Sequence, residues 1–290
     1  MFYYICCMEN FNSTTLEDWI PFGDGATSTC YYHRENPDLM LKFFDQGRTG
    51  SDYADREFSL SSAVWAMSVS TPRAIQVVSI EDKKAIIYER ITPKISVSRL
   101  CTDNPDKFDE YVRQFSLECR KLHATPCTQD LIKSRKQQVI DALNADRGLS
   151  EKSRQFLLDL ANSVEDSHTC LHGDMQSGNL VFNGKRYYWI DLGAFAWGNP
   201  MFDVGGMYFF YKSRLGQILY GRIFHMKKSQ LSHFWDVFSS TYPQMSKSDF
   251  DKEARKWSLL FIVYTLAVES FSKFETWIVN LYINRCIRKL

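Results

Sequence analysis

The segment from residue 171 to residue 191 constrains the fold of this chain more than any other part of its sequence. It reads LHGDMQSGNLVFNGKRYYWID, with one apolar run at 180–182 and a second at 187–190. Between the two runs lies Asn183-Gly184, a pair that tolerates the positive φ of a type I′ turn. Together these features predict a β-hairpin of two short strands paired across that turn.

Three polar side chains are expected at the open end of this hairpin. Strand pairing brings Asn179 and Asp191 to the same end, and the loop before the first strand carries Asp174 beside them. Mg²⁺ prefers oxygen ligands, which Asn179 and Asp191 supply, and Asp174 could orient a hydroxyl and take its proton. The spacing therefore fits phosphoryl transfer, in which a metal bridges the terminal phosphates of a nucleotide. The alternative is a surface hairpin with ordinary turn residues.

The motifs around the hairpin resemble those of the small-molecule kinases. These are the aminoglycoside phosphotransferases and the choline and ethanolamine kinases, which are relatives of the protein kinases. The motifs are His172-Gly173-Asp174 with Asn179, then Ile190-Asp191-Leu192-Gly193, and then Asn199-Pro200-x-x-Asp203-Val204. The resemblance implies an α+β, two-lobed protein-kinase-like fold. Its small N-terminal lobe would be an antiparallel sheet with one helix, and its larger C-terminal lobe would be mainly helical.

The resemblance also implies a role for each polar residue of these motifs. Asp174 is expected to be the catalytic base, and Asn179 and Asp191 are expected to be the metal ligands. His172 would anchor the catalytic loop. Asp203 would cap the helix that follows it and tether that loop. The implied cofactors are Mg²⁺ and ATP, and GTP is not excluded.

Several positions depart from the protein-kinase pattern. Gly173 replaces the Arg that protein kinases usually carry between His and Asp, and Leu192 replaces the Phe of their Asp-Phe-Gly. Gln176 stands where protein-serine kinases have a Lys, and no Ala-Pro-Glu segment follows Asp191. These departures favour a small-molecule acceptor over a protein substrate.

Composition narrows the function classes and the compartment. Lys and Arg total 35 against 34 for Asp and Glu, so the chain lacks the basic excess of a nucleic-acid-binding protein. The eight Cys residues include no C-x-x-C pair, and we interpret them as free thiols in a reducing cytoplasm. No run approaches the roughly 18 apolar residues of a membrane span. A cytoplasmic protein without nucleic-acid or membrane partners is expected.

The first third of the chain is expected to form the sheet of the smaller lobe. Apolar runs predict strands at 19–22, 29–33, 39–44, 73–80 and 84–90, and helical spacing predicts a helix over 52–68. The loop after the first strand could meet phosphate oxygens through the amides and hydroxyls of Gly23, Gly25, Thr27 and Ser28. An ordinary hairpin turn is the alternative for this loop.

Lys42 is a lone charge in the apolar run Leu-Met-Leu-Lys-Phe-Phe. Burial of an unpaired Lys is costly, so either the side chain reaches water from an edge strand or it is paired. The resemblance implies that it pairs with Glu57 on the following helix and orients the α- and β-phosphates. Asp52 and Asp55 are rival partners.

The first lobe is expected to end at Pro93, because proline cannot continue a β-ladder. This gives a nucleotide-covering lobe over residues 1–92 and a catalytic, acceptor-binding lobe over 93–290. By the resemblance, the Glu89 carbonyl and the Ile91 amide contact the base. A plain linker is the alternative, and backbone contacts leave ATP and GTP undistinguished.

Helical periodicity dominates the rest of the chain. It predicts helices at 107–123 and 153–164, and a buried core helix at 259–268 within the long apolar segment 250–274. The segment 204–215 is apolar and expected to be buried, and 277–287 closes the chain. The helices after residue 200 are expected to line the acceptor site. An amino alcohol, a sugar or an aminoglycoside are all open as acceptors. A protein kinase, a nucleotide-binding pseudoenzyme and a non-catalytic interaction module are the rival functions.

Overall fold

A computed structural model describes residues 11, 14–24, 28–44, 52–145, 148–221, 223–242, 245–268 and 271–288. The chain divides into two compact units, Met1–Lys94 and Ile95–Leu290. The division falls just after Pro93, whose ring cannot join a β-ladder.

The first unit contains a five-stranded antiparallel sheet in the order β1-β2-β3-β5-β4. Its strands are β1 (Trp19–Asp24), β2 (Ser28–His33), β3 (Leu39–Phe44), β4 (Ala74–Ile80) and β5 (Lys83–Glu89). One helix, α1 (Tyr53–Ala66), connects β3 to β4. The predicted N-terminal sheet with a single helix is therefore confirmed.

Alternating side chains divide the core of this unit between the two faces of the sheet. Leu41 and Ile87 belong to a buried cluster on one face. On the other face, Ile86 and Tyr88 pack with Ala54 of α1. Because neighbouring residues of β5 point to opposite faces, its run of apolar residues is buried on both sides.

Two turns in this sheet differ in length from what the sequence suggests. The ladder between β1 and β2 continues through Gly23↔Cys30, and Ser28 begins β2, so Gly23 and Ser28 lie in strands rather than in the predicted loop. Gly25 and Thr27 lie outside the described residues. Between β4 and β5 only Glu81 and Asp82 separate the paired strands, and both have positive φ, as a type I′ turn requires.

The second unit is mainly helical. Its helices are α2 (Val97–Asp103), α3 (Phe108–His123), α4 (Arg135–Asn144), α5 (Glu151–Asn162), α6 (Met201–Tyr211), α7 (Arg214–Tyr220), α8 (Lys228–Thr241), α9 (Lys247–Val268) and α10 (Lys273–Ile287). Its strands are short: β6 (Ile95–Ser96), β7 (Cys170–Leu171), β8 (Leu180–Phe182), β9 (Tyr187–Trp189) and β10 (Ala196–Trp197). They form a sheet in the order β6-β8-β9 and a separate β7-β10 pair.

The helices predicted at 107–123 and 153–164 are present as α3 and α5, and one residue of their predicted apolar stripes is misplaced. The stripe of α3 is buried at Val112, Phe115 and Cys119, as its spacing predicts. In α5, Leu157 is fully buried, but Phe156 is exposed and not directed inward as predicted. One face of a helix spans little more than 100°, so two adjacent residues seldom share it.

The sequence patterns missed the helices α2, α4 and α8 and misplaced the start of α9. The helix α4 was not predicted, because its first turn is polar and its start depends on Ser134, whose hydroxyl accepts from the Gln137 amide. The core helix predicted at 259–268 ends at Val268 as expected but begins earlier, at Lys247. The next helix begins at Lys273, behind a capping box formed by Ser272 and Glu275.

The predicted hairpin is present as β8 and β9, but its turn differs from the prediction. Phe182 pairs with Tyr187, so four residues rather than two form the loop. Gly184 has φ +87°, whereas Asn183 does not have positive φ. The Asn183 Oδ1 accepts hydrogen bonds from the amides of Lys185 and Arg186, which closes the longer loop.

Within the described parts of the chain, no helix is long and apolar enough to cross a bilayer.

Candidate active site

Asp174 lies in the loop between β7 and β8, and its side chain is half-buried. The Asn179 Nδ2 donates to the Asp174 Oδ2 and to its backbone oxygen, both at 2.9 Å. Burial raises the pKa of Asp174 above its ordinary value, and the carboxylates of Asp191 and Asp203 also raise it. His172 and the hydrogen bond from Asn179 oppose this rise. The loop thus holds a carboxylate whose proton affinity is increased.

Asn179 stands at the entrance to β8 and is buried. Its backbone oxygen accepts from the Ile190 amide at 2.9 Å, which extends the hairpin by one pair toward Asp191. Since both donated bonds use Nδ2, the Oδ1 is left without a hydrogen bond from any described residue. An unused amide oxygen at this position is suited to bind a cation.

Asp191 follows the hairpin and is exposed. Its backbone is left-handed, with φ 62° and ψ 62°, and a single 3₁₀ turn, Leu192–Ala194, follows it. A residue other than glycine adopts this conformation at a cost of about 1 kcal/mol or more, and such strain is concentrated at functional sites. The Asp191 carboxylate forms no hydrogen bond or ion pair with the described residues.

Asp203, in the first turn of α6, connects several parts of the site. Its Oδ2 accepts from the His172 amide at 2.7 Å, and its Oδ1 accepts from the Gly173 amide at 2.8 Å. The carboxylate thus tethers the loop that carries Asp174. It makes no side-chain cap at the start of α6, where the N-cap is Pro200, so the predicted capping role is wrong.

A buried histidine supports Asp203 from another helix. His123 Nε2 lies 3.0 Å from the Asp203 Oδ2, and His123 Nδ1 lies 2.6 Å from the Tyr242 hydroxyl. Burial opposes ionisation of Asp203, but the hydrogen bond and charge of His123 outweigh it, with help from His172 and the Gly173 amide. The net effect lowers the pKa of Asp203, which therefore stays ionised.

The sequence interpretation did not include His123, although a signal for it was present. His123 follows Cys119 by four residues and so continues the buried stripe of α3. A histidine on such a stripe needs a polar partner. The sequence does not indicate that this partner is Asp203, 80 residues away.

His172 is fully buried and connects two parts of the candidate site. Its Nε2 donates to the Ile190 carbonyl at 3.0 Å, and its Nδ1 accepts from the Asp174 amide at 3.4 Å. One imidazole therefore connects the loop that carries Asp174 to the end of the strand that precedes Asp191.

Gly173 is constrained by both its backbone and its surroundings. It has φ +82°, which favours glycine. A Cβ at this position would lie 1.8 Å from the Ala194 oxygen and 2.2 Å from Arg135 Nη2. The Arg that protein kinases usually carry at this position therefore cannot be accommodated here.

The first unit holds the second group of predicted site residues. Lys42 Nζ lies 2.8 Å from the Glu57 Oε1, so the predicted pair is present. The rival Asp55 pairs with Lys84 instead. The Tyr88 hydroxyl donates to the same Glu57 oxygen at 3.0 Å, and burial together with the Glu57 charge raises the pKa of Tyr88 well above its ordinary value.

The other predicted nucleotide contacts are placed as follows. Gly23 belongs to β1, and a Cβ built there would meet no atom within 4 Å. Ser28 begins β2, and Glu89 ends β5. Ile91 follows the sheet, and its amide donates no hydrogen bond to any residue in the described ranges.

The sequence matches the model of a known family. Residues 18–233 match the family described as the phosphotransferase enzyme family, so the match spans most of the chain and every predicted site residue. No curated protein matches the chain with significant sequence similarity.

Solved structures resemble the whole chain rather than one unit. A structure of the amicoumacin kinase hAmiN in complex with AMP-PNP, Ca²⁺ and Ami has 14% identity and a TM-score of 0.56, and covers 94% of this chain and 89% of its own. The GDP and kanamycin complex of APH(2")-IIia has 14% identity and a TM-score of 0.56, and covers 97% of each chain. A choline/ethanolamine kinase family protein from Mesorhizobium loti has 13% identity, a TM-score of 0.53 and coverages of 93% and 87%. At such identities these similarities establish the kinase-like fold.

Proposed function

The chain belongs to the phosphotransferase enzyme family, and we propose that it transfers the γ-phosphate of ATP to a hydroxyl group of a small acceptor molecule. One observation carries this proposal. The Asp174 carboxylate is hydrogen-bonded to the Asn179 side chain, and the amide of Ile190, which precedes Asp191, donates to the Asn179 backbone oxygen, so the three residues lie at one end of the hairpin. This is the set that phosphoryl transfer needs.

Asp174 is proposed as the base. The pKa of Asp174 is raised toward neutral pH. A raised pKa suits a group that accepts a proton from an alcohol as the new bond to phosphorus forms. The hydrogen bonds from Asn179 fix the carboxylate, and His172 fixes the loop. The acceptor hydroxyl would thus meet an oriented oxygen.

Asn179 and Asp191 are proposed to hold Mg²⁺. Their fit rests on two oxygen donors that make no competing hydrogen bond with the described residues. Across the described parts of the chain, no group of three or more His, Cys, Asp or Glu could enclose a metal alone. Mg²⁺ is usually bound by one or two protein ligands together with phosphates and water, so Asn179 and Asp191 would be enough protein ligands. When bound, the ion would neutralise charge on the phosphates.

The first unit is proposed to hold the nucleotide. Lys42, oriented by Glu57, supplies a cation for the α- and β-phosphates. Backbone and hydroxyl groups of Gly23, Gly25, Thr27 and Ser28 are proposed to contact the phosphates, and the Glu89 carbonyl and Ile91 amide to contact the base. The unused Ile91 amide supports the last of these contacts.

The acceptor is proposed as a class rather than a single compound. Structures similar to this chain contain kanamycin in one case and streptomycin with ATP in another. The choline/ethanolamine kinase family protein adds amino alcohols to the classes to be tested. GTP remains a candidate donor, because a similar structure holds GDP. A nucleotide-binding pseudoenzyme or a protein-kinase-like regulator without small-molecule turnover is the alternative function.

Mass spectrometry of a mixed panel tests the proposal. Aminoglycosides, amino alcohols, sugars and other metabolites would be incubated with the protein, Mg²⁺ and ATP, and in parallel with GTP. We expect a product heavier by one phosphoryl group, formed by wild-type protein and absent with Asp174→Asn.

Nucleotide titration with the same two proteins separates the alternatives. Asp174→Asn should bind nucleotide about as well as wild type, because the substitution removes the base and leaves Lys42 intact. Nucleotide binding without a product from any panel would favour the pseudoenzyme, and phosphorylation of proteins alone would favour the regulator. A product formed equally by Asp174→Asn would contradict the proposed base.

A further inference from the structure

Arg135, the first residue of α4, is a buried cation that the roles assigned above do not use. Its side chain is 3% exposed. No carboxylate among the described residues forms an ion pair with it, and its Nη1 is buried without a hydrogen-bond partner in the same set. An unpaired buried charge is destabilising. Other contacts of the guanidinium must therefore offset this cost.

The contacts of Arg135 connect two loops of the proposed site. Its Nη2 donates to the Ala194 oxygen, at the end of the 3₁₀ turn that begins after Asp191. The same guanidinium lies against Gly173, where an added Cβ would come within 2.2 Å of Nη2. One planar group thus lies against both the loop that carries Asp174 and the turn that follows Asp191.

The guanidinium is itself held in place from two sides. Its Cζ lies 3.7 Å from the centroid of the Tyr264 ring on α9, a close cation–π contact. The backbone just before α4 bridges to β10, where the Trp197 amide donates to the Lys133 oxygen at 3.0 Å. The stacking on Tyr264 and the backbone bridge to β10 therefore fix the position of the Arg135 side chain.

We propose that Arg135 is a positioning residue, whose guanidinium holds the Asp191 turn against the catalytic loop by binding the Ala194 carbonyl. Its Nη2 donates to the Ala194 oxygen from α4, while its Cζ stacks on the Tyr264 ring of α9. The catalytic meaning of this role rests on the proposed function. Outer groups that orient metal ligands commonly change metal affinity or activity by about 10- to 100-fold when they are removed.

Hydrogen exchange in the ligand-free protein tests the positioning role without reference to activity. The Phe195 amide donates to the Leu192 oxygen at 2.8 Å and reports on the 3₁₀ turn. In Arg135→Met we expect its exchange to accelerate about tenfold or more, while amides of β8 and β9 keep their rates. Arg135→Lys, which retains a donor, should recover part of the protection.

Matched variants keep this test decisive. Lys136→Met changes the next residue of α4, whose side chain donates to the Val164 oxygen, and should leave Phe195 unaffected. Tyr264→Leu removes the aromatic ring that stacks on the Arg135 guanidinium and should accelerate Phe195 exchange by a smaller factor. This variant tests the proposal if Arg135→Met does not fold. Unchanged exchange in Arg135→Met, or equal acceleration in Lys136→Met, would overturn the proposal.

Metal binding separates a role in the site from a purely structural one. Mn²⁺ would be titrated by electron paramagnetic resonance with protein and AMP-PNP present, with Asp191→Ala as the variant without the metal ligand. We expect Arg135→Met to weaken Mn²⁺ binding about 10- to 100-fold. Unchanged Mn²⁺ affinity beside accelerated exchange would reduce Arg135 to a structural residue and overturn its role in the site. If wild-type protein binds no Mn²⁺ under these conditions, the proposed metal site fails, and the exchange data alone decide whether Arg135 orders the turn.

Discussion

Two carboxylates at the predicted site differ in burial and in the kind of donor that binds them. In the first unit, the Glu57 Oε1 accepts hydrogen bonds from Lys42 Nζ and from the Tyr88 hydroxyl. Asp203, in the second unit, is 2% exposed and accepts from two backbone amides besides its contact with His123. The Lys42 side chain is 23% exposed, so water can replace part of its pairing with Glu57.

This difference in burial and donors predicts that one carboxylate matters mainly for stability and that the Lys42 pair matters mainly for turnover. A buried carboxylate with several donors holds backbone segments together, and its removal leaves those donors unsatisfied. Removing one member of an ion pair that water still reaches costs less free energy of unfolding than removing a fully buried carboxylate with several donors. We therefore expect substitutions at Asp203 to destabilise the fold, and substitutions at Lys42 to affect turnover with little effect on stability.

The largest effect is expected from Asp203→Asn. An amide cannot accept from the His172 and Gly173 amides and from His123 as a carboxylate does, and the loss should lower the free energy of unfolding by about 3–5 kcal/mol. Urea denaturation measures it. The control is Asp236→Asn, an exposed carboxylate paired with Lys212 and Lys247, which should cost less than about 1 kcal/mol. Similar costs for both variants would remove the distinction between the two kinds of carboxylate.

Gly173→Ala is expected to have the next largest effect and to lower the free energy of unfolding by about 2–3 kcal/mol. The new methyl group would overlap the Ala194 oxygen in addition to the strain of positive φ. Gly184→Ala is the matched control, because Gly184 has φ +87° and a Cβ there meets nothing within 4 Å. That variant should cost only about 1 kcal/mol from its backbone. Equal costs in thermal unfolding would mean that the catalytic loop can move away from Ala194.

A smaller stability effect is expected from Lys42→Met. We expect a loss of about 1 kcal/mol or less, beside a large fall in turnover, because the phosphates would lose their cation. Lys84→Met in the neighbouring strand β5 removes an exposed pair with Asp55 and should change neither quantity appreciably. The comparison would fail if Lys42→Met retained normal turnover, or if it destabilised the protein as much as Asp203→Asn.

The smallest effect is expected in the pH dependence of stability. Because the pKa of Asp203 is lowered in the folded chain, its ionised form stabilises the protein fully above the ordinary carboxyl pKa of about 4. This contribution is lost as the pH falls through the lowered folded value. Thermal melting between pH 7 and pH 3 should therefore fall more steeply for wild type than for Asp203→Asn. Parallel curves would show that Asp203 carries no such linkage.

Local sequence patterns accounted for most of the elements around the site. Apolar runs located all five strands of the first sheet, and the Asn-Gly pair located the β8–β9 hairpin. The loop length escaped, because Asn183 closes the turn with its side chain instead of adopting positive φ. Asn-Gly favours a hairpin, but the length of the loop depends on such side-chain contacts.

Spacing along the chain did not predict the contacts that hold the site together. The pair of Lys42 and Glu57, 15 residues apart on consecutive elements, was expected from the family resemblance. His123 and Arg135 reach Asp203 and Ala194 from distant helices, over 80 and 59 residues. Such partners are set by how the helices pack, for which one sequence gives no register.

The most direct test of the central claim is the turnover of Asp191→Ala with an acceptor found in the panel, measured against wild type at saturating Mg²⁺ and nucleotide. Asp191 is exposed and makes no hydrogen bond or ion pair with the described residues, so the variant should fold as stably as wild type. If Asp191 holds the metal, phosphate transfer should be abolished, because the phosphate charge would lose its counterion. Near-normal transfer by the folded variant would contradict the assignment of this hairpin as a phosphotransferase site.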